Sequence, residues 1–220
     1  MKLYPVLLNI EGALAVVVGG GEVALRKALD LLDAGARVRV VSPRLHPELV
    51  DAARANAERL VLVERAYRAG DLEGAALVFT ATDSPDVNRS VFEEAGRRGI
   101  FINSADDPPN CSFYLPSFVR RGDFIMAVST SGASPAYAAR LRRALEKAVP
   151  ENVDAILAAL REARRILQVD EAFADMDFSA RGELLKKIAA DDALLARCAR
   201  AYEEAELPRL LNGMRGRGVR

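Results

Sequence analysis

Residues 14–27 read LAVVVGGGEVALRK, in which small and β-branched apolar residues run into three glycines and then into helix-forming residues. The apolar run predicts a strand that is buried on both faces. Gly19 and Gly21 occupy the first two positions of the pattern G-x-G-x-x-G/A, and Ala24 fills the third. The first glycine permits a tight turn, the second lets the backbone approach a pyrophosphate, and the small third residue lets helix and strand pack closely. Strand, turn and helix in this order predict a dinucleotide-binding site, with a glycine-rich turn that binds no ligand as the alternative.

The composition limits the classes of protein to which the chain can belong. Its 220 residues suffice for one large domain and a smaller one. The 31 lysines and arginines balance 31 aspartates and glutamates, so no overall field favours nucleic acid as a partner. Two cysteines and one histidine predict neither a disulfide framework nor a histidine-based metal site, and no segment reads as a membrane span or a signal peptide. We therefore expect a cytoplasmic protein with no bound metal and no membrane partner.

The first 103 residues alternate predicted strands and helices. Strands are expected over residues 13–18, 38–41, 60–63, 76–80 and 100–102, and helices over 22–33, 46–57 and between Ser84 and Gly99. Strands separated by helical segments require right-handed crossovers, which build a parallel, doubly wound sheet.

The pattern changes after Asn103. A turn-rich loop over residues 103–111 precedes two β-type runs, 112–119 and 124–129, with a hairpin turn expected over 120–123. A helix begins at Ser134-Pro135, and everything beyond Pro150 reads as helical. Two β-type runs added to a completed parallel sheet would leave exposed edges on a single chain, so we expect a homodimer.

These elements define the predicted fold class and domains. The class is α/β, a doubly wound parallel Rossmann sheet with a β-hairpin/helix dimerisation segment and a C-terminal helical domain. The predicted bounds are 1–111 for the dinucleotide-binding domain, 112–149 for the dimerisation segment and 150–220 for the helical domain.

The second strand ends without the acidic residue that would bind a ribose 2′-hydroxyl about 20 residues after the glycines. It ends instead at Val41-Ser42-Pro43-Arg44. Ser42 could hydrogen-bond a ribose, and Arg44 could pair with a 2′-phosphate. These residues by themselves favour NADP slightly over NAD.

Three stretches together carry a family resemblance. They are residues 17–24 followed by Arg26-Lys27, residues 103–107 followed by Cys111-Ser112-Phe113 and Pro116, and residues 127–135 followed by Arg140. In this order and spacing they resemble the dehydrogenase module of siroheme synthase, the precorrin-2 dehydrogenase that makes sirohydrochlorin. The resemblance spans residues 3–145. One departure is Ser131, which stands where the family commonly has glycine.

The resemblance implies NAD as the hydride acceptor, in place of the NADP that Arg44 favours. It implies pyrophosphate contacts from Gly19, Gly21, Glu22 and Val23, and ribose contacts from Pro43 and Arg44. Further candidate cofactor-binding residues end two strands at the carboxyl edge of the sheet, where ligands of open α/β sheets bind: Thr80, Ala81, Thr82 and Asn103.

The resemblance also implies the residues that act on precorrin-2. Asp106 matches the aspartate that takes the proton while the nicotinamide takes the hydride, with an Asx-turn role as its alternative. For the neighbouring Asp107 the turn role is favoured. Ser129 and Thr130 match positions on the substrate side, with strand-end capping as the alternative. Substrate carboxylates could be bound by three arginines that would also suit a solvated surface: Arg120, Arg121 and Arg140.

Three other functions stay open at this point. Some members of the family also insert iron into sirohydrochlorin, so a bifunctional dehydrogenase and ferrochelatase is one alternative. A sensor that binds NAD without turnover is another, and a dehydrogenase acting on a different small acid is the third. NADH formation that depends on a tetrapyrrole would distinguish among them.

Overall fold

A computed structural model describes residues 2–105 and 108–215 of the chain, which divides into two compact units, Met1–Leu115 and Pro116–Arg220. Within the described ranges, no helix combines the length and apolar character needed to cross a bilayer. The two units are described separately below.

The first unit is built on a parallel sheet of five strands: β1 (Leu14–Val18), β2 (Arg37–Val41), β3 (Leu60–Val63), β4 (Ala75–Thr80) and β5 (Phe101–Ser104). Its helices are α1 (Glu22–Asp33), α2 (Pro47–Ala55) and α3 (Pro85–Arg98), and a 3₁₀ turn covers Pro108–Asn110. The strand order is β3-β2-β1-β4-β5. The winding therefore reverses between β1 and β4, which confirms the predicted doubly wound α/β class.

The central strand β1 is covered on both faces. Ala15 and Val17 face a core formed with α1 and α2, whereas Val16 and Val18 face a second core that includes Val91 of α3. Successive side chains of a strand point to opposite faces, so a strand between two layers needs an apolar residue at every position. This explains the uninterrupted apolar run before the three glycines.

Side chains fix the starts of α2 and α3. His46 Nδ1 accepts the Glu48 N–H at 3.3 Å, and Ser84 Oγ accepts the Val87 N–H at 3.4 Å. Each of these caps satisfies a helix N–H that has no partner within the helix. Gly99 ends α3 in the left-handed conformation that favours glycine.

The second unit begins with an antiparallel hairpin of β6 (Ser117–Arg121) and β7 (Phe124–Val128), followed by α4 (Pro135–Glu146). Four helices and a 3₁₀ turn (Glu171–Phe173) complete it: α5 (Val153–Val169), α6 (Phe178–Ala189), α7 (Asp192–Glu203) and α8 (Leu207–Arg215). Their core contains Ala159 and Ala163 of α5 together with Ile188 and Leu211. The predicted hairpin, helix and helical region are all present, and the finer domain bounds at 111 and 149 stay predictions.

Two predicted strands were wrong by two or more residues at an end. The fifth strand is Phe101–Ser104 rather than 100–102, and β6 starts at Ser117 rather than at residue 112. Residues 112–116 read as β-type because of their apolar side chains. In the structure, however, the Ser112 hydroxyl accepts the Ile102 N–H at 2.7 Å and the Ser112 N–H donates to the Ile102 carbonyl at 2.8 Å. This segment therefore lies against the edge of β5 without forming a strand, and it precedes the hairpin.

Candidate functional site

The first glycine of the turn lies between two other segments at the carboxyl edge of the sheet. The Gly19 N–H donates to the Val41 carbonyl at 3.0 Å, and the Ala81 N–H donates to the Val18 carbonyl at 2.8 Å. Gly19 has φ 125°, and a Cβ there would lie 2.1 Å from the Ala81 carbonyl oxygen. Both the backbone conformation and the lack of space require glycine at this position.

Gly20 is equally constrained, although the sequence pattern leaves its identity open. A Cβ on Gly20 would lie 2.1 Å from the Arg44 carbonyl oxygen and 2.7 Å from Ser42 Oγ. The Gly20 carbonyl accepts the His46 N–H at 2.7 Å, which ties the turn to the start of α2. The run of three glycines is the only sequence signal of this close packing.

Gly21 differs from its two neighbours because the space around it is open. It is the N-cap of α1, and a Cβ there would meet nothing within 4 Å among the described residues. In the described part of the chain, α1 has no side-chain cap, whereas side chains of His46, Ser84 and Ser134 cap α2, α3 and α4. The first N–H groups of α1 and the positive end of its dipole therefore suit an anion such as a pyrophosphate.

The predicted ribose-binding residues lie beside this turn, at the end of β2. Ser42 is buried, and its hydroxyl donates to the Arg44 carbonyl at 2.7 Å, which shapes the loop beneath Gly20. Pro43 and Arg44 are exposed. Because the Ser42 proton is committed to Arg44, Ser42 can serve a ribose only as an acceptor, and its predicted role stays a prediction.

The end of β4 is held by a network of hydroxyl and amide groups. Thr80 Oγ1 donates to Ser104 Oγ at 2.9 Å, and this buried contact joins β4 to β5. Thr82 Oγ1 donates to Asn88 Oδ1 at 2.9 Å, and Asn88 Nδ2 donates back to the Thr82 carbonyl at 3.1 Å. Thr80 and Thr82 thus fix the loop that contains Ala81 next to Gly19. The structure brings these three predicted residues to the same edge as the glycine turn.

The end of β5 carries the remaining predicted residues of this unit. Asn103 Nδ2 donates to the Phe113 carbonyl at 3.0 Å, and the Ala105 N–H donates to the Thr80 carbonyl at 3.0 Å. Asp106 and Asp107 lie outside the described residues, so their predicted roles stay predictions.

In the second unit, Ser129 and Thr130 stabilise the turn that leads into α4. Ser129 Oγ accepts the Ser131 N–H at 3.1 Å, and Thr130 Oγ1 accepts the Ser134 N–H at 3.0 Å. Ser131 has φ 52°, the left-handed conformation in which a side chain is unfavourable. This conformation explains why glycine suits the position at which the sequence departs from the family pattern.

The three candidate arginines have different surroundings. Arg121 Nη2 lies 3.2 Å from Glu146 Oε1, and the same carboxylate also pairs with Arg142. Arg120 and Arg140 are exposed, and Arg140 forms no ion pair within residues 2–105 and 108–215. Arg121 is therefore engaged in the structure of its own unit, and Arg140 is the better placed of these two for binding an anion.

Comparison with known proteins gives matches over both units. A family model described as "Putative NAD(P)-binding" matches residues 6–117, and a model described as "Sirohaem biosynthesis protein central" matches residues 125–148. The siroheme synthase of Pseudomonas paraeruginosa is 43% identical over 152 residues, which cover 69% of this chain and 32% of that protein. Siroheme synthase 1 of Aeromonas salmonicida is 41% identical over 158 residues, 72% of this chain and 33% of that protein. The chain thus spans about a third of the length of the curated relatives it matches.

A solved structure matches over nearly its whole length. The structure named SirC, precorrin-2 dehydrogenase, has a TM-score of 0.74 and 26% sequence identity, and the match covers 93% of this chain and 98% of that chain. The predicted nicotinamide dinucleotide cofactor and the predicted resemblance are confirmed by these findings. The chain therefore belongs to the family described as "Putative NAD(P)-binding", and it is similar to siroheme biosynthesis proteins beyond the bounds of that model.

Proposed function

We propose that this protein oxidises precorrin-2 to sirohydrochlorin, with NAD as the hydride acceptor. The observation that carries the proposal is the similarity to SirC, precorrin-2 dehydrogenase, which covers 98% of that chain and includes the helices of the second unit. An NAD(P)-binding domain is common to many activities. A similarity that continues through the hairpin and the helical region favours this particular one.

The residues of the first unit fit the cofactor. Gly21, Glu22 and Val23 would hold the pyrophosphate, because the start of α1 offers N–H groups and no described side chain obstructs it. Pro43 and Arg44 would contact the adenosine ribose at the exposed end of β2. When bound, the nicotinamide supplies a site that accepts a hydride.

Oxidation of the macrocycle removes two hydrogens and forms a double bond in the substrate. One carbon–hydrogen bond gives up its electron pair with the hydride, and the second hydrogen leaves as a proton. We propose that the Asp106 carboxylate takes this proton as a general base. Asp106 follows directly after β5 and Ala105, whose N–H is bonded to Thr80 at the carboxyl edge of the sheet. Asp107 is the neighbouring carboxylate against which this assignment has to be tested.

Binding of the substrate would use residues that can pair with carboxylates. Arg140 is exposed at the first turns of α4 and free of ion pairs in the described part of the chain, and Arg120 is exposed on β6. Ser129 and Thr130 offer hydroxyls in the turn between β7 and α4. These four residues form the proposed substrate-binding set.

A homodimer is part of the proposal. On the exposed face of the hairpin, Phe118 is 43% exposed and Ile125 is 37% exposed. Tyr137 and Leu145 of α4 are each about half exposed as well. A two-stranded hairpin alone is marginally stable and leaves both edges open, so a second copy of the chain is the occupant that we propose for this surface.

The test is the formation of NADH when purified protein is given NAD and precorrin-2. A sensor would bind NAD and form no NADH, and a dehydrogenase for another acid would form NADH only with that acid. Adding ferrous ion and sirohydrochlorin to the same protein tests ferrochelatase activity separately.

A cytoplasmic location, which the low cysteine content favours, belongs to the same proposal.

A further inference from the structure

A cluster of exposed apolar side chains lies just before β1. Residues 3–8 read LYPVLL and include no charged residue. Five of the six are large apolar residues that the folded chain leaves exposed: Leu3 38%, Tyr4 88%, Val6 62%, Leu7 77% and Leu8 50%. A contiguous apolar surface of this kind marks an interaction site in a globular protein. We call residues 3–8 the N-terminal segment.

The chain becomes fixed immediately after the N-terminal segment. Ile10 packs against the core formed with α1, and its carbonyl accepts the Ala13 N–H at 3.0 Å. The Gly12 N–H donates to the Gly35 carbonyl at 2.9 Å. Gly12 and Gly35 directly precede β1 and β2, so these bonds lie at the amino edge of the sheet. The N-terminal segment therefore starts at the edge opposite to the proposed cofactor site.

The backbone of the N-terminal segment has no partner either. In the described part of the chain, no hydrogen bond involves an N–H or a carbonyl of residues 3–8. Burial of such a backbone needs hydrogen-bond partners, which an open strand edge supplies to an extended peptide. Pro5 lacks an N–H and favours extended backbone at Tyr4. The segment is therefore suited to adding to a strand edge.

The size of the hairpin surface indicates what covers the N-terminal segment. The side chains already proposed to contact a second copy expose slightly less than two whole side chains: Phe118, Ile125, Tyr137 and Leu145. At roughly 150–200 Å² for a large side chain this is roughly 300 Å², whereas each partner in a stable dimer buries about 800 Å². The N-terminal segment exposes about three whole side chains, or roughly 500 Å². Together the two surfaces give each copy the area that a stable dimer needs.

We propose that the N-terminal segment binds to a second copy of the chain, where it adds to an open strand edge and completes the dimer interface. In a two-fold dimer each copy provides one segment and receives one, so both segments are covered. The inference rests on the homodimer of the proposed function and adds to it a contact that the hairpin does not supply. A lipid surface is the alternative occupant, but segments that lie on lipid are rich in basic residues, and residues 2–9 contain only Lys2.

The first experiment measures the dissociation constant of the dimer by analytical ultracentrifugation in Val6→Glu, Leu7→Glu and a control, Phe178→Glu. Val6 and Leu7 point to opposite sides of an extended backbone, so at least one of them faces the partner. We expect at least one of these two variants to raise the dissociation constant at least about tenfold, because a charge would be buried in the interface. Phe178 is also highly exposed but lies on α6, and its variant should leave the constant unchanged.

The outcomes separate this inference from the homodimer itself. Since Val6 and Leu7 are exposed in the folded chain, both variants should keep the wild-type circular dichroism spectrum. A wild-type dimer whose dissociation constant is the same in both variants would overturn the inference and leave the homodimer in place. A wild-type protein that stays monomeric would instead overturn the homodimer, and this inference with it.

Amide hydrogen exchange at residues 6–8 distinguishes the second copy from other occupants. We expect slow exchange in the wild-type dimer and fast exchange in monomers obtained by dilution. Slow exchange that persists in the monomer would show that the segment binds its own chain, and fast exchange in the dimer would show that the partner does not cover it. Either result would overturn the inference. Exchange that slows only when vesicles of phosphatidylcholine and phosphatidylglycerol are added would assign the segment to a lipid surface and overturn it as well.

Discussion

The backbone of Gly19 lies so close to that of Ala81 that a Cβ on Gly19 would stand 2.1 Å from the Ala81 carbonyl oxygen. This contact occurs between β1 and β4, where the winding of the sheet reverses. It joins the glycine turn to the loop that Thr82 and Asn88 fix to α3. The shape of the proposed cofactor site therefore depends on contacts between two loops as much as on the glycine motif itself.

The first prediction separates the structural glycine from the ligand-facing one. Gly19→Ala introduces a clash with Ala81 and a side chain at φ 125°, so we expect a loss of at least about 2 kcal/mol in the free energy of unfolding. Gly21→Ala is the matched control, because a Cβ there meets no described atom within 4 Å and the backbone is extended. Urea denaturation of both variants without NAD measures the difference. Equal free energies of unfolding for the two variants would contradict the steric clash between a Gly19 side chain and Ala81.

The second prediction concerns NAD affinity at Gly21. Gly21→Asp places a side chain and a negative charge at the uncapped start of α1, where the pyrophosphate would lie, so we expect NAD affinity to fall at least about tenfold. Titration calorimetry measures this affinity. Unchanged affinity in Gly21→Asp would locate the cofactor elsewhere.

The third prediction distinguishes the two adjacent aspartates. Asp106→Asn keeps the size of the side chain but removes its ability to take a proton, so kcat should fall about 10²–10⁴-fold while NAD affinity and melting temperature stay near wild type. Asp107→Asn is the control and should lose less. An inactive Asp107→Asn together with an active Asp106→Asn would show that Asp107, and not Asp106, is the base. An Asx-turn role for Asp106 predicts that asparagine preserves turnover.

The fourth prediction concerns a buried carboxylate that supports the β3–β4 connection. Glu94 of α3 accepts hydrogen bonds from the Tyr67 hydroxyl, from the Gly70 N–H at 3.0 Å and from Arg98 Nε at 2.8 Å. Burial raises the pKa of Glu94, but the bonds from Tyr67, Gly70 and Arg98 outweigh it and hold the pKa below its ordinary value. The unfolded chain therefore binds the proton more readily than the folded chain.

The sign of the pH dependence follows from this depressed pKa. The stabilisation by Glu94 is present above the ordinary glutamate pKa of about 4.3 and is lost as the pH falls through the lower folded value. Glu94→Gln should lower the free energy of unfolding at neutral pH by about 2 kcal/mol and make its decline below about pH 4.3 shallower. Part of the decline in stability at low pH should remain in Glu94→Gln, because the pKa of Asp71 is also lowered, mainly by its hydrogen bond from Arg65. Glu93→Gln is the control, because Glu93 is the exposed neighbour of Glu94. If the free energy of unfolding falls equally steeply at low pH in both variants, Glu94 does not have the proposed role.

The fifth prediction concerns assembly. Light scattering should give about twice the chain mass of 23.8 kDa at micromolar concentration. Phe118→Glu places a charge on the exposed face of the hairpin and should shift the protein to monomers. Phe178→Glu is the control, because Phe178 is also highly exposed but lies on α6. A monomeric wild type would contradict the proposed dimer.

Local sequence patterns predicted the first unit well because its strands are covered on both faces. The apolar run before Gly19 and the helix from Glu22 to Asp33 carry their own signals, and α1 has the predicted bounds. Residues 112–116 show the limit of such patterns. Phe113 and its neighbours look like a strand, yet their place is set by the bonds of Cys111 and Ser112 to β5, which depend on the tertiary fold.

In the candidate site too, some features follow from the local sequence and others from the tertiary fold. The motif predicted Gly19 and Gly21, but the need for glycine at position 20 arises from the Arg44 carbonyl, which only the folded chain brings near. Ser42 was predicted from its position after β2 as a ribose ligand, and the structure shows its hydroxyl donating to Arg44. A side chain's own backbone partners cannot be derived from spacing alone.

The most direct test of the proposed function is an anaerobic reaction of the wild-type protein with NAD and precorrin-2, in which NADH and sirohydrochlorin are measured together. We predict that one NADH appears for each sirohydrochlorin formed, that the rate depends on protein concentration, and that omission of NAD abolishes the reaction. NAD binding without NADH formation, or sirohydrochlorin formation at the same rate without protein, would contradict the proposed dehydrogenase activity.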